Sequence, residues 1–244
     1  YKTWLMVVFI SGISFLGYVL IKIIGSRRGI GLTGLLGGLV SSTAVTLSFS
    51  ERSQDHPELA RPFALAITLA WTVMFGRIVV EVAVLNRALL SILWLPMGAA
   101  MVAGLAFCAF YYFGQRTDQG GDMELANPFE LGTAIKFGLL YAVILVAAKA
   151  AQFYFQETGL YAAAAVAGLA DVDAITLSMA ELAGAQGGIA TSTAARAVVL
   201  AVISNTIVKG GIALSVGSKT LRRALLPPFL VMLITSSVVA FLFI

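Results

Sequence analysis

Two carboxylates, Asp171 and Asp173, stand two residues apart in the otherwise uncharged apolar run 159–179. An ionised group inside a bilayer costs about 2.5–3.5 kcal/mol at the centre of a helix, so such groups persist for a reason. On an ideal helix, residues two apart face roughly opposite sides. They share one site only where the helix is unwound, and Gly168 just before them eases that. An unwound segment frees backbone carbonyls. Carbonyls and carboxylates together are hard oxygen ligands, suited to Mg2+, Ca2+, Mn2+ or Na+ rather than to soft metals. Asp171 and Asp173 are therefore candidate metal ligands, and Asn205 in Ser204-Asn205-Thr206 is a third at the same depth. Ser41, Ser42, Thr43 and Thr206 offer hydroxyls along a substrate pathway. The competing expectation is structural: one aspartate pairs with a buried Lys or Arg while the other caps a half-helix.

The basic residues fit around this pair. Arg77 and Glu81 are four apart, hence on one helix face, and are expected to form a structural ion bridge. Lys209 is the expected countercharge to Asp171 or Asp173 in the empty state. Its displacement by a cation, or the exchange of its proton, is a physical route to coupling. Other chemistry has little to work with. The one histidine, His56, lies in a polar loop, and the one cysteine, Cys108, lies in an apolar run. Internal disulfides and thiolate metal sites are excluded. No serine-nucleophile, zinc-protease or phosphate-loop motif occurs. An intramembrane aspartyl protease needs its aspartates on different, facing helices. The expectation is a protein that is not an enzyme and has no resident cofactor, with a transported or bound cation, Mg2+ first.

The elements that must position these groups are transmembrane helices. Of 244 residues, 59% are hydrophobic and only 11% charged, against about 25% charged in globular domains. The mean hydropathy is +0.95. A soluble enzyme, a disordered chain and a nucleic-acid-binding domain are all excluded. The net charge of +4 is what short basic loops on the cytoplasmic side would give. Eight runs are long enough to span a bilayer, which takes about 20 residues: 4–24, 29–50, 62–85, 89–113, 129–155, 159–179, 194–216 and 225–243. Polar connections lie at 25–28, 51–61 and 115–127, and Gln186-Gly187-Gly188 reads as a further loop. Nothing alternates as membrane β-strands do, and the first run is too long for a signal peptide. Pro96, Pro227 and Pro228 read as kinks or helix starts. Lys22, Arg27, Arg28, Arg87, Lys219, Arg222 and Arg223 fall on one side of this topology, which marks that side as cytoplasmic.

The chain also repeats itself. The eleven residues from Gly38 match those from Gly168 at six positions, an offset of 130, and Arg87-Ala88-Leu89-Leu90 recurs at Arg223-Ala224-Leu225-Leu226. The expected fold is all-α, a polytopic membrane protein of about eight transmembrane helices in two four-helix repeats, 1–126 and 127–244. The repeats are parallel if the second and sixth spans cross fully, and inverted if both are re-entrant.

Gly25-Ser26-Arg27-Arg28-Gly29, then Gly34-Leu35-Leu36-Gly37-Gly38-Leu39-Val40-Ser41-Ser42-Thr43-Ala44, resemble the membrane domain that follows the MgtC-like domain in many MgtC/SapB-type bacterial membrane proteins. So does the segment from Gly168 to Ser178, Asp171 and Asp173 included. The similarity runs over most of the chain. It implies a multi-pass protein of the bacterial inner (cytoplasmic) membrane, linked to Mg2+ or other cation homeostasis. It implies an upstream MgtC-like domain or a homo-oligomer as partner, which suits a chain that begins at Tyr1. MgtC-type proteins are also regulators. The expected function is thus a membrane transporter or channel for a cation, a divalent metal such as Mg2+. The alternative is a non-transporting regulatory or scaffold subunit. A carrier of small anions would need unpaired buried cations, and the charge inventory is balanced.

Overall fold

A computed structural model describes residues 8, 11–12, 15–16, 18–20, 30–113, 131–184 and 188–244. Most of the expected first span, all of the 25–28 and 115–127 connections, and Gln186-Gly187 lie outside the described residues. Among those described, residues 8, 11–12, 15–16 and 18–20 are helical, and from residue 30 onward the chain forms seven α-helices and one 3-10 turn, with no strand. The helices are α1 (Ile30–Asp55), α2 (Ala60–Leu85), α3 (Arg87–Phe113), α4 (Leu131–Ala170), α5 (Val172–Gly184), α6 (Thr191–Val216) and α7 (Lys219–Phe243). The 3-10 turn, Pro57–Leu59, joins α1 to α2.

The core is apolar, as in a soluble bundle, but the outer surface is apolar as well. Large apolar side chains such as Trp94, Val102, Phe110, Ile234 and Phe241 point outward, while Thr46, Thr68, Glu81, Asn205 and Lys209 are buried. This is the arrangement of a protein whose solvent is hydrocarbon, where polar side chains turn to the bundle interior. Helix is the way an isolated segment satisfies its backbone there, which explains how Gly-rich α1 stays helical despite poor propensity. Among the described residues, five segments are long and apolar enough to cross a membrane: α1, Pro57–Leu85, α3, α6 and α7. By length and composition, these helices are consistent with a multi-pass membrane protein.

The expected boundary between the fifth and sixth spans is absent. Helix α4 continues through Thr158 and Gly159 as one helix of 40 residues. A single glycine costs about 1 kcal/mol against alanine, too little to end a helix. The length is about 60 Å, twice a hydrocarbon core. The sixth expected span is instead interrupted further on, at Asp171. Pro227 and Pro228 are not a helix start either. Helix α7 begins at Lys219, where Ser218 accepts from Leu221 N at 3.3 Å, and runs on through both prolines, as α3 runs through Pro96.

Packing is reciprocal between the halves. Helix α1 lies on α2, and the α4–α5 pair lies on α6. Across the halves, α1 meets α6 and α5 meets α2, while α3 meets α7. The close contacts correspond as well. A Cβ on Gly38 would stand 2.7 Å from Ala70 Cα, and one on Gly168 would stand 2.6 Å from Ala201 Cα. Small residues thus let each helix touch its neighbour's backbone.

Candidate functional site

Both helices that make these close contacts are broken just beyond them. In α1 the break is Ser41, in extended backbone at φ −162° and ψ 108°. In the second half it is Asp171, which separates α4 from α5. The two residues are 130 apart, the repeat offset. Each caps the half-helix that follows. Ser41 Oγ accepts from Ala44 N at 3.2 Å, and Asp171 Oδ1 accepts from Asp173 N at 2.7 Å and Ala174 N at 3.3 Å. A turn further, Thr46 donates to Ser42 O and Thr176 to Val172 O, at 2.7 and 2.8 Å. A helix break leaves N–H groups free on one side and C=O groups on the other. Ser41 and Asp171 satisfy the first kind.

The carbonyl ends are satisfied from the neighbouring helices. Arg77 Nη1 donates to Leu39 O at 2.9 Å, and Asn205 Nδ2 donates to Gly168 O at 2.9 Å. Arg77 also reaches across, and its Nη2 pairs with Asp173 Oδ2. One planar guanidinium therefore ties the carbonyl end of the first break to the carboxylate of the second. A lysine has no fork to do this.

The two breaks meet at a cavity of about 140 Å3. Its walls are Ser41, Ser42 and Thr43 from α1, Met74 and Arg77 from α2, Asp171 and Asp173 at the second break, and Asn205 and Lys209 from α6. Two cavity-lining residues carry a buried oxygen that no N–H group reaches among the described residues: Asp173 Oδ1, on a carboxylate that has the Glu81 carboxyl beside it, and Asn205 Oδ1. Buried acceptors normally have a donor or a cation. The side-chain oxygens of Ser41, Ser42, Thr43, Asp171, Asp173 and Asn205 are hard donors, which fit a hard cation that keeps some of its water, and Met74, Arg77 and Lys209 share the wall with them. It does not fit a dedicated metal cage, since no group of three or more His, Cys, Asp or Glu able to hold a metal occurs among the described residues.

Most of the residues singled out from sequence line this cavity, but four expectations need correction. Arg77 does not bridge to Glu81; it turns to the break, and the buried Glu81 carboxyl, with no N–H donor among the described residues, lies beside the Asp173 carboxylate within hydrogen-bonding reach. Lys209 does not pair with an aspartate, because Arg77 already occupies Asp173; its Nζ donates instead to Met74 Sδ at 2.7 Å. Thr206 is outside the cavity and donates to Val202 O, one turn back on its own helix, at 2.8 Å. Glu81 is likewise outside it. Sequence reasoning missed Met74 and the carbonyls of Leu39 and Gly168. Met74 lies three residues before Arg77, so it shares that face. The carbonyls carry no sequence signal beyond the break itself.

Residues 8–217 match a domain of unknown function, DUF4010. A protein of Aquifex aeolicus (strain VF5), described only as an uncharacterized protein, is 38% identical over 196 residues. That is 78% of this chain and 84% of the relative. No solved structure matches. The match covers most of the chain, both helix breaks and every residue that lines the cavity between them, and the chain belongs to the DUF4010 family.

Proposed function

We propose that this protein is a membrane transporter or channel for a cation, with Asp171, Asp173 and Asn205 as ligands where the two helix breaks meet. The observation that carries this reading is the pair of buried oxygens that no N–H group reaches among the described residues, Asp173 Oδ1 and Asn205 Oδ1, on residues that line one polar cavity. Interrupted helices at protein-lined sites are how membrane proteins present backbone groups to an ion. Ser41, Ser42 and Thr43 supply neutral oxygens on the opposite wall. The halves 1–126 and 127–244, read as repeats, each contribute one broken helix and one partner helix. Arg77 holds Asp173 when no ion is bound.

Mg2+ is the first candidate, through the resemblance to MgtC/SapB-type proteins. That resemblance also supports a bacterial inner-membrane location and an upstream MgtC-like domain or a second copy as partner. Reconstitution into vesicles tests the reading. Uptake of one cation by the wild-type chain, abolished in Asp171→Asn/Asp173→Asn while the variant stays folded and inserted, is the expected result. Undiminished uptake in the variant would overturn it.

A second reading has its own support. Asp171 caps a half-helix and Asp173 is paired with Arg77, so both carboxylates have structural work. A regulatory or scaffold subunit would need nothing more of them. There the same variant would lower stability and no ion would cross.

A further inference from the structure

The two broken helices do not run on across the bundle; each doubles back. The first arm of α1, 30–40, runs parallel to α2: a Cβ on Gly31, Gly34 or Gly38 would meet Leu65, Ala66 or Ala70 in turn. After Ser41 the order reverses. Thr46 Oγ1 accepts from Trp71 Nε1 at 2.8 Å, and Phe49 stacks on Phe63 with ring centroids 5.2 Å apart. The second arm, 42–55, therefore returns to the end of α2 from which the first set out, where Pro57–Leu59 joins the two helices. At about 17 and 21 Å, neither arm alone crosses a hydrocarbon core of about 30 Å.

The second break has the same plan in reverse. The segment Thr158–Ala170 runs parallel to α6: Tyr161 shares a groove with Arg196 and Val199, and Gly168 meets Ala201 and Asn205. Past Asp171 the chain turns back. Asp173 lies at Arg77, within α2, whereas Ala180 O accepts from Asn86 Nδ2, just past the end of α2, at 3.2 Å. Leu182 O accepts from Ile189 N at 3.3 Å, just before α6 begins.

The two mouths lie at opposite ends of the bundle. The α1 mouth is bonded to the turn that ends α6: Gln54 Nε2 donates to Val216 O at 2.6 Å, and Ser218 N donates to Ser53 Oγ at 2.8 Å. The α4–α5 mouth lies where α6 begins and α2 ends. Charge tells the ends apart. Of the described basic side chains outside the cavity, Arg52, Arg61, Lys219, Arg222 and Arg223 lie at the α1 mouth, and Arg87 and Arg196 at the other. Arg27 and Arg28 directly precede α1 in sequence. Sorting by full crossings placed Arg87 with Lys219; the doubling back of α1 and of α4–α5 separates them. Basic residues mark the α1 mouth as cytoplasmic.

We infer that the chain is an inverted repeat in which two re-entrant hairpins enter the membrane from opposite faces, α1 from the cytoplasm and α4–α5 from outside, and meet tip to tip at the cavity. A solute then reaches the cavity from either face in turn, with α1 closing the cytoplasmic route and α4–α5 the outer one. This goes beyond the cation reading and holds for any solute the cavity takes.

Single cysteines in a Cys108→Ala background test it, in variants that insert and purify as the wild type does. A membrane-impermeant maleimide is applied to cells and to inside-out vesicles. Ser26→Cys and His56→Cys, before and after α1, should both label from the cytoplasmic face. Thr158→Cys and Ser192→Cys, before and after the second hairpin, should both label from outside. Thr43→Cys, at the tip of α1, should react with a small charged thiol reagent from both faces. A pair split between the faces would mean that its hairpin crosses, and the inverted repeat falls. Reaction of Thr43→Cys from one face only, or from neither, would overturn the two-sided route. None of these readings needs an ion, so a protein that binds no cation would lose the cation reading and keep this one.

Discussion

The break in α1 and the break between α4 and α5 have one backbone plan and two chemistries. Each follows a glycine pressed against an alanine of the neighbouring helix, Gly38 on Ala70 and Gly168 on Ala201. Each is capped by its own break residue, and each has a carbonyl satisfied from the adjoining long helix. The first break carries hydroxyls only: Ser41, Ser42 and Thr43. The second carries Asp171 and Asp173 in the corresponding positions. Duplicated packing accounts for the breaks, and the charge is added to one of them alone. Chemistry is therefore concentrated at the second break, and the first provides a neutral wall and an anchor for Arg77.

Removing the tie between the breaks should have the largest effect. Arg77→Met leaves Asp173 buried without its countercharge and should cost about 3–5 kcal/mol. Adding Asp173→Asn should recover much of that loss, as read by thermal or denaturant unfolding in detergent. Next come the two glycines. Gly38→Ala and Gly168→Ala each drive a methyl into neighbouring backbone, and each should cost about 1–3 kcal/mol. Equal penalties would sharpen the equivalence of the two crossings, whereas a penalty at only one would break it. The caps should matter least. Asp171→Ala, which loses two backbone hydrogen bonds, should cost about 1–2 kcal/mol, and Ser41→Ala, which loses one long one, about 0.5 kcal/mol. Asp171→Asn should retain the cap. If Ser41→Ala proved the more damaging, the account of an asymmetric pair would be wrong.

Much of this was legible in the sequence where it depended on composition or on the repeat. Apolar runs marked the helices, and the six matched positions marked two equivalent segments. Two aspartates at a spacing no straight helix can bring to one face pointed to a break, and Asp171 is that break. Pair choice was not legible. Arg77 and Glu81 have a helical spacing that favours a local bridge, but the open carbonyl at Leu39 and the carboxylate at Asp173 together offer the guanidinium more. Those groups are 38 and 96 residues away, and no local pattern encodes them. The continuity of α4 through Gly159 was hidden for a different reason: a short polar stretch reads as a loop although its helical cost is small. The Lys209–Met74 contact had no signal, since a methionine at that position reads as ordinary apolar lining.

The central claim is that the second break holds a cation, and ion-dependent thermal stabilisation tests it most directly. Wild-type protein and Asp171→Asn/Asp173→Asn would be titrated with Mg2+, Mn2+, Ca2+, Zn2+ and Na+. At about 100 times its dissociation constant, a bound ion should stabilise the wild type by about 2.7 kcal/mol. The account predicts that gain for one hard cation and its loss in the variant. No gain with any ion, together with a less stable variant, would make the aspartates structural and contradict the account.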